Sequence, residues 1–537
     1  MSGRSGTGGS KGCWHGCRCI NFRMKKLTFL TRTSLLLFLL FGVDKLLAFF
    51  RSIIVSRQFQ LSAIFDAFNS ANNLPDLLYA LISGGTLAMA LIPVLSETLA
   101  KKDRQALWGI FSRVANIFFI AAVVVGGLIA VLANSIVRSQ VGVVPGFSGS
   151  QQVLVAGLMR LNLIATLIFA ISGLVMSGLQ ANQHFLLPAL APIFYNIGQK
   201  FGALVLAPTK AYSIGPITLP AFGLGVHGLV YGVIIGAVLH LAIQVPGLVK
   251  YHFHWTASIS VKDEQVKRVL WLVGPRLVTM FFIQATFIAR DNLASRLPGA
   301  GAISALAIGW MIMQVPETLI GTAIGTALLP TISEQAALTD WENFQATIER
   351  AVRVLVAICL PVAAILAAVI HPLVRMVFGL DEAGTSLVTW TVRAYLLALT
   401  GESVLEVAAR AFYARKDALR PLATSFMNTA IFIGGGVLIL RRWPQWGAPG
   451  IALLEMAFTL EAIFLLIWLN RLLPGKVSLG STLWRGLAAA VIGGGVAYAL
   501  ALWLPLSGVL SALVALPLAT GAAIPLIWPE LRLLFRL

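Results

Sequence analysis

The chain contains the stretch ALIPVLSETLAKKD at residues 90–103 and repeats it, slightly altered, as ALLPTISEQAALTD at residues 327–340. Pro93 recurs as Pro330, and a Ser-Glu pair follows each proline three residues later. In both copies an apolar run passes into a polar one, which is the pattern of a helix leaving one environment for another. The repeat indicates an internally duplicated, helical chain.

The composition indicates a membrane protein. Of the 537 residues, 58% are hydrophobic and 11% are charged, whereas about a quarter of the residues in soluble domains are charged. Apolar runs long enough to cross a hydrocarbon core of about 30 Å recur along the whole length. The sequence therefore predicts an all-α polytopic membrane protein with about fourteen transmembrane helices.

A second internal similarity extends the duplication. The linker GLQANQHFLLP at residues 178–188 resembles AFYARKDALRP at residues 411–421, so six spans repeat as six. An even number of crossings per unit gives both copies the same orientation, which is one of the standard transporter designs. We expect two pseudo-symmetric six-helix lobes and two additional helices, with the N-lobe over residues 30–250, the C-lobe over 262–470, and the last two helices with the C-terminus over 480–537.

The formal net charge of +19 reflects orientation in the membrane. If the N-terminus is cytoplasmic, most of the forty Lys and Arg residues fall in cytoplasmic segments, as the positive-inside bias requires. We therefore expect both termini in the cytoplasm and no nucleic-acid partner.

The first 29 residues are rich in Gly and Ser, and we expect a disordered cytoplasmic tail, with Met24 as an alternative start. A metal site in this tail is the other interpretation, but its spacing fits no established zinc signature. We expect no metal there. The residues concerned are Cys13, His15, Cys17 and Cys19.

Charged residues within the first span indicate a polar cavity. An unpaired charge at the centre of a bilayer costs at least about 2.5 to 3.5 kcal/mol, so a span with four charges needs water or pairing. We expect Lys45, Arg51 and Arg57 to line a cavity. In the alternative, Asp44 pairs with Arg51 while Arg57 extends to the interface.

The seventh span carries two further cations, Arg276 and Arg290, near one face at two depths, which suits an anionic substrate that moves through the protein. In the alternative, Arg290 pairs with the adjacent Asp291 and Arg276 lies at the interface. Asn73 belongs to a polar, proline-broken segment of the second span, and we expect it to face the same cavity.

Glu402 and Glu406 lie one helical turn apart in the tenth span. They form a candidate proton or cation site, unless they pair with Arg393 or Arg410. Enzyme motifs such as a P-loop, GxSxG or HExxH are missing from the spans, so we expect a transporter with no catalytic residues.

The segments DAFNSANNLPDLLYALISGGTLAMALIPVLSE at residues 66–97 and VPETLIGTAIGTALLPTISE at residues 315–334 resemble the MurJ (MviN) family of lipid II flippases. That family belongs to the multidrug/oligosaccharidyl-lipid/polysaccharide exporter superfamily. The resemblance implies a cationic cavity for the substrate's pyrophosphate and alternating access. It also implies substrate-binding roles for Lys45, Arg51 and Asp66.

Two positions depart from the family pattern. Tyr79 and Met311 stand where the family commonly has arginine, and Arg276 and Arg290 are the candidates to replace those charges. Each charge-assisted contact to a pyrophosphate offsets part of the cost of dehydrating that anion.

The leading hypothesis is a flippase that moves lipid II from the inner to the outer leaflet of the bacterial plasma membrane. Its expected partners are lipid II or a similar polyprenyl-pyrophosphate lipid, the bilayer, and the cell-wall synthesis machinery. No cofactor is expected, and Na+ or H+ coupling or the membrane potential would drive transport. The alternatives are a flippase for another polyprenyl-linked saccharide, a MATE-like drug or cation antiporter, and a non-transporting cell-wall scaffold.

Overall fold

The computed structural model describes residues 29–82, 85–214, 216–504 and 508–534. These residues are almost entirely helical. The predicted tail, its candidate metal ligands (Cys13, His15, Cys17, Cys19) and the alternative start Met24 lie outside the described residues.

The described residues of the first half of the chain fold into nine α-helices. A π-helical turn, Gly202–Leu206, extends the seventh, and a small antiparallel hairpin follows it, with strands β1 (Ser213–Ile214) and β2 (Ile217–Thr218). The helices are α1 (Phe29–Phe59), α2 (Ala63–Ser70), α3 (Asn73–Ile82), α4 (Gly85–Lys101), α5 (Arg104–Arg138), α6 (Gly149–Ala181), α7 (Leu186–Phe201), α8 (Gly225–Ala242) and α9 (Val245–Lys250).

In the second half, the part of the chain that the structure describes contains ten α-helices. A π-helical turn, Thr318–Thr322, joins the second and third of them, and short 3-10 turns at Pro444–Trp446 and Leu454–Met456 flank the seventh. The helices are α10 (Glu264–Ser295), α11 (Ala302–Glu317), α12 (Ala323–Ala337), α13 (Trp341–Phe378), α14 (Glu382–Ala414), α15 (Leu419–Arg442), α16 (Gly447–Leu453), α17 (Ala457–Leu472), α18 (Thr482–Trp503) and α19 (Gly508–Leu534).

Within the described residues, ten helical stretches are long and apolar enough to cross a membrane by themselves. The spans predicted from the sequence coincide with helical segments, so the all-α polytopic fold is confirmed. These spans are residues 33–56, 67–95, 108–133, 152–177, 186–207, 222–247, 268–295, 302–333, 350–370, 386–409, 420–440, 449–469, 483–503 and 509–529. The count of fourteen crossings stays a prediction, because the other four segments are more polar or more broken. They are α1, the succession α2 to α4, α7 with its π-helical turn, and α14.

Breaks in the helices correspond to residues that interrupt backbone hydrogen bonding. Pro75 lies in the first turn of α3, where its missing N–H costs nothing. Pro316 instead lies at the end of α11, directly before the π-helical turn Thr318–Thr322. A widened turn of this type is common at functional sites.

The helix α10 is shared between the two lobes. Val266, Val269 and Val273, in its first half, are buried in a cluster with residues of α3 to α6. Its second half contacts α15 and α11 in the C-lobe. The lobe boundary before residue 262 stays a prediction, and α10 packs against helices on both sides of it.

Candidate functional site between the lobes

A cavity of about 720 Å³ lies between the two lobes, and we call it the central cavity. Helices α1 to α3 contribute its N-lobe side, and α10 and α11 contribute its C-lobe side. Its polar and charged lining includes Arg51, Asn69, Asn72, Asn73, Asp76, Gln284 and Arg290. Two arginines from opposite lobes therefore share one cavity.

Arg51 is held in the cavity by the N-lobe. Its Nη1 donates to Oε1 of Gln199 at 2.6 Å, and Nε2 of Gln199 donates to the Tyr195 hydroxyl at 2.7 Å. Asp44 instead accepts a hydrogen bond from Nδ2 of Asn196 at 2.7 Å. Among the described residues no Asp44–Arg51 ion pair is found, so the guanidinium is not neutralised by that carboxylate.

Arg290 is buried and paired. Its Nε and Nη2 both lie 3.0 Å from Oδ1 of Asp291, and its guanidinium lies 5.1 Å from the ring centre of Phe287. Nδ2 of Asn73 donates to the other Asp291 oxygen at 2.8 Å. The pairing considered as the alternative is thus present, yet Arg290 also lines the central cavity.

Asp66 joins the lobes at one end of the bundle, which we call the Asp66 end. Its carboxylate accepts from the backbone N–H of Gly301 at 2.6 Å, and from the backbone N–H and hydroxyl of Ser304 at 2.8 and 2.7 Å. These groups form the start of α11, where backbone N–H groups lack helical partners. Asn69 donates to the same Ser304 hydroxyl at 3.1 Å. Asp66 therefore caps a helix of the other lobe and does not line the central cavity.

Gly301 makes this contact between the lobes geometrically feasible. Its φ of +92° belongs to the left-handed region that favours glycine. A Cβ at this position would lie 2.6 Å from Cβ of Leu61 in the N-lobe. A larger residue would therefore push the two lobes apart at the Asp66 end.

The remaining cations predicted for the cavity lie elsewhere. Arg57 donates to the backbone carbonyls of Val377 and Met376 at 3.0 and 2.6 Å, so it joins α1 to the end of α13 at the Asp66 end. Lys45 is exposed and is not among the cavity-lining residues described. The Arg276 side chain lies outside the described residues, although its backbone belongs to α10.

Ion pairs mark the opposite end of the bundle, which we call the Glu97 end. Glu97 accepts from Lys101 at 2.7 Å and from Arg268 at 2.8 Å, and hydrogen bonds from these two cations lower the pKa of its carboxyl. Arg113 pairs with Asp263, which caps the start of α10. The beginning of α10 is thus attached to the N-lobe through exposed ion pairs, which salt screens.

The two glutamates of the tenth predicted span have separate partners. Glu406 pairs with Arg410, one turn further along α14. Oε1 of Glu402 accepts from Nε2 of Gln314 at 3.0 Å, while its Oε2 has no hydrogen-bond partner among the described residues. The pairing with Arg410 thus accounts for Glu406 but not for Glu402.

Two of the site's structural residues, Gln199 and Tyr195, were not singled out from the sequence. They lie four residues apart on α7, on the face that contacts Arg51 and the cavities. In the sequence, the one feature that could have indicated these two residues is the group of polar side chains near the end of an otherwise apolar span. They line an adjoining cavity that shares Arg51 with the central cavity, and Gln199 holds the Arg51 guanidinium where it can contact an anion.

Comparison with known proteins shows the family of the chain. A sequence profile of the family described as "Lipid II flippase MurJ" matches residues 55–517. The chain belongs to the MurJ family. A Burkholderia cenocepacia protein named lipid II flippase MurJ is 27% identical over 399 residues, which cover 73% of this chain and 73% of that protein. A Bdellovibrio bacteriovorus protein named probable lipid II flippase MurJ is 26% identical over 448 residues, or 80% of each chain.

Solved structures share the fold. A lipid II flippase MurJ in an inward closed conformation matches with a TM-score of 0.71 at 18% identity, covering 92% of this chain and 99% of that one. An inward-facing multidrug MATE transporter of the MOP superfamily matches with a TM-score of 0.65 at 14% identity, covering 80% and 94%. The resemblance to MurJ seen in the sequence is therefore confirmed, and the molecule is a multi-pass membrane protein.

Proposed function

We propose that this chain is a flippase that moves lipid II from the inner to the outer leaflet of the bacterial plasma membrane. The observation that carries the proposal is the central cavity, in which Arg51 and Arg290 approach from opposite lobes. A pyrophosphate between them would receive charge-assisted hydrogen bonds from both, offsetting part of its dehydration. Membership of the MurJ family supports lipid II as the substrate.

We propose that transport proceeds by alternating access. The contacts of Asp66 and Arg57 close the Asp66 end, so substrate reaches the cavity from the other side in this state. When the lobes rock, those contacts break and the cavity opens at the Asp66 end. The substrate-bound arginines then face the opposite leaflet.

The positive-inside bias supports a cytoplasmic Glu97 end with both termini inside. Single cysteines at Ser148 and Thr385 should then react with an impermeant thiol reagent added outside intact cells. Cysteines at Lys102 and Lys416 should react only after permeabilisation. Labelling of position 102 from outside would reverse the proposed orientation.

We propose that a cation gradient or the membrane potential drives the cycle. Glu402 remains a candidate ion-coupling residue, because one of its carboxylate oxygens has no partner among the described residues. Glu406 is a weaker candidate because Arg410 already neutralises it. No further cofactor is proposed.

Complementation tests the function. The chain is expressed in a bacterium depleted of its own lipid II flippase, and growth is followed alongside the appearance of lipid II in the outer leaflet. Restored growth and flipping support the proposal. Normal membrane levels without flipping contradict it. Drug efflux instead of flipping would favour a MATE-like antiporter. Restored growth that survives Arg51→Glu would favour a scaffold for cell-wall enzymes.

A further inference from the structure

A second cavity, of about 320 Å³, extends from the region of Asp76 into the interior of the N-lobe. We call it the side chamber. Its polar lining comes from α3, α6, α7 and α8 and consists of Asn72, Asp76, Asn162, Thr166, Tyr195 and His240, with Tyr79 beside them. The chamber has room for several water molecules or for one hydrated ion.

Two oxygen-bearing groups in the chamber lack partners. Among the described residues, the Asp76 carboxylate has no hydrogen-bond or ion-pair partner. Asn162 is 3% exposed; its Nδ2 donates to Oδ1 of Asn72 at 2.8 Å, but its own Oδ1 has no partner. The buried Asn162 Oδ1 is a costly acceptor to leave without a partner, and the Asp76 carboxylate is exposed to the cavities, so the pair suits a ligand or water that supplies positive charge or a proton.

The other chamber groups are already engaged. The His240 ring nitrogen Nδ1 lies 2.6 Å from the Ser172 hydroxyl, and Gln244 donates to that same hydroxyl at 2.7 Å. The Thr166 hydroxyl donates toward the backbone carbonyls of Asn162 and Pro75, at 3.2 and 3.4 Å. Among the described lining residues, the one fixed charge of the chamber is therefore the Asp76 carboxylate, and Asn72, Asn162, Thr166 and Tyr195 add neutral oxygen atoms to the lining.

Asp76 also faces the central cavity, so the chamber and the substrate region share this carboxylate. The charged side chains described along the connected cavities are Arg51, Arg290 and Asp76. Because Asp291 neutralises Arg290, the charges of Arg51 and Asp76 balance each other. An entering pyrophosphate diester would leave an excess of negative charge in a poorly solvated space.

We propose that the side chamber binds a small monovalent cation at Asp76 and Asn162 Oδ1, and that this cation and an anionic substrate bind cooperatively. Oxygen donors suit a hard cation, and a single carboxylate among neutral oxygens suits a single charge. A cation at Asp76 compensates part of the substrate's charge, so each ligand raises the affinity for the other. The cooperativity rests on the proposed flippase function, whereas the cation site itself does not.

Radioactive Na+ binding to the purified full chain in lipid nanodiscs tests the site, with choline chloride keeping the ionic strength constant. Saturable binding is expected, and Asp76→Asn should weaken it at least tenfold. Asn162→Leu should weaken it severalfold. Glu461→Gln is the matched control, because that buried carboxylate is already hydrogen-bonded by Thr424, Ser425 and Asn428, and Na+ binding should persist. Thermal melting establishes that each variant is folded.

The coupling is tested by repeating the titration with farnesyl pyrophosphate as the anionic probe. The Na+ affinity of the wild type should rise about tenfold, and Asp76→Asn should abolish that rise. Unchanged Na+ binding in folded Asp76→Asn, or proton uptake in place of Na+ binding, would overturn the site. An Na+ affinity of the wild type that stays the same when farnesyl pyrophosphate is bound would overturn the cooperativity. If farnesyl pyrophosphate does not bind, the proposed substrate class is contradicted. The Na+ titration without the probe then decides by itself whether the cation site exists.

Discussion

Asp66→Asn is the most direct test of how the Asp66 end closes. The wild-type carboxylate accepts three hydrogen bonds from Gly301 and Ser304 of the opposite lobe, at 2.6 to 2.8 Å. Asparagine keeps the shape but has only one carbonyl oxygen to accept with. Its NH₂ group would face a backbone N–H, where donor opposes donor.

The expected effect is large. Both Ser304 bonds go to Oδ1 and the Gly301 bond goes to Oδ2, so an asparagine oxygen at the Oδ1 position keeps two bonds and loses one. A hydrogen bond to a charged group contributes roughly 1.5 to 3 kcal/mol. The lower value alone corresponds to a shift of about tenfold in the equilibrium between closed and open forms. Asp66→Asn should therefore populate a form that is open at the Asp66 end.

Thiol accessibility measures that opening. Ala307 lines the central cavity, so Ala307→Cys, in a background without the four native cysteines, reports access to it. With Asp66→Asn, an impermeant reagent added on the Asp66 side should label this cysteine at least tenfold faster. The matched control is Asp381→Asn, because Asp381 caps α14 through the N–H of Gly384 within a single lobe.

Equal labelling rates in the Asp66→Asn and parent proteins, at equal membrane levels, would show that the Asp66 bonds do not hold this end closed. So would an acceleration of the same size in Asp381→Asn, because loss of any cap would then loosen the protein. A selective acceleration at Asp66 ties the closed state to the bonds between the lobes.

Three further expectations concern single side chains. Arg51→Glu should abolish flipping, and Arg51→Lys should retain part of it. In the complementation assay, adding Asp44→Asn should not rescue Arg51→Gln. A rescue would show that Arg51 serves to neutralise Asp44. Asp291→Asn leaves Arg290 buried without its counter-charge and should cost about 3 to 5 kcal/mol, seen as a lower melting temperature; an unchanged melting temperature would contradict this. Burial, with a smaller contribution from a neighbouring lysine, lowers the pKa of His184 in the α6–α7 linker. The unfolded chain then binds the proton more readily, so stability falls as the pH drops below about 6.5. Between about pH 7.5 and 5.5 the melting temperature should fall less in His184→Gln than in the wild type. An equal fall in both proteins would exclude this histidine as the cause.

The hydrophobic pattern predicts the fold class because each apolar run must satisfy its backbone internally as a helix. It also places two distant cations, Arg51 and Arg290, in functional spans, and the structure brings both to one cavity. Spacing along a helix identifies a face, but it does not identify the neighbouring helix. That is why the sequence left the partner of Arg51 open between Asp44 and a ligand.

The roles of Asp66 and Arg57 depend on contacts that no local pattern contains. Asp66 bonds to backbone groups near residue 301, and Arg57 bonds to carbonyls near residue 376. Backbone donors and acceptors are present at every position, so the sequence offers no complementary residue to search for. Both residues were expected in the substrate site and were found instead where the lobes meet.

Asp76 and Glu317 show how two copies of one repeat differ: NLPDLLYALISGG at residues 73–85 resembles QVPETLIGTAIGT at residues 314–326, and these two residues correspond. Both follow a proline in the second helix of their lobe, yet Asp76 faces the cavities while Glu317 is buried. The π-helical turn after Glu317 brings the Thr322 hydroxyl to 3.0 Å from its carboxylate, which supplies a partner inside the C-lobe. Around Asp76, α3 continues without such a turn, and its carboxylate has no partner of this kind among the described residues. The duplication therefore supplies a common helical frame, and a local change in the backbone leaves, of these two carboxylates, only Asp76 facing the central cavity.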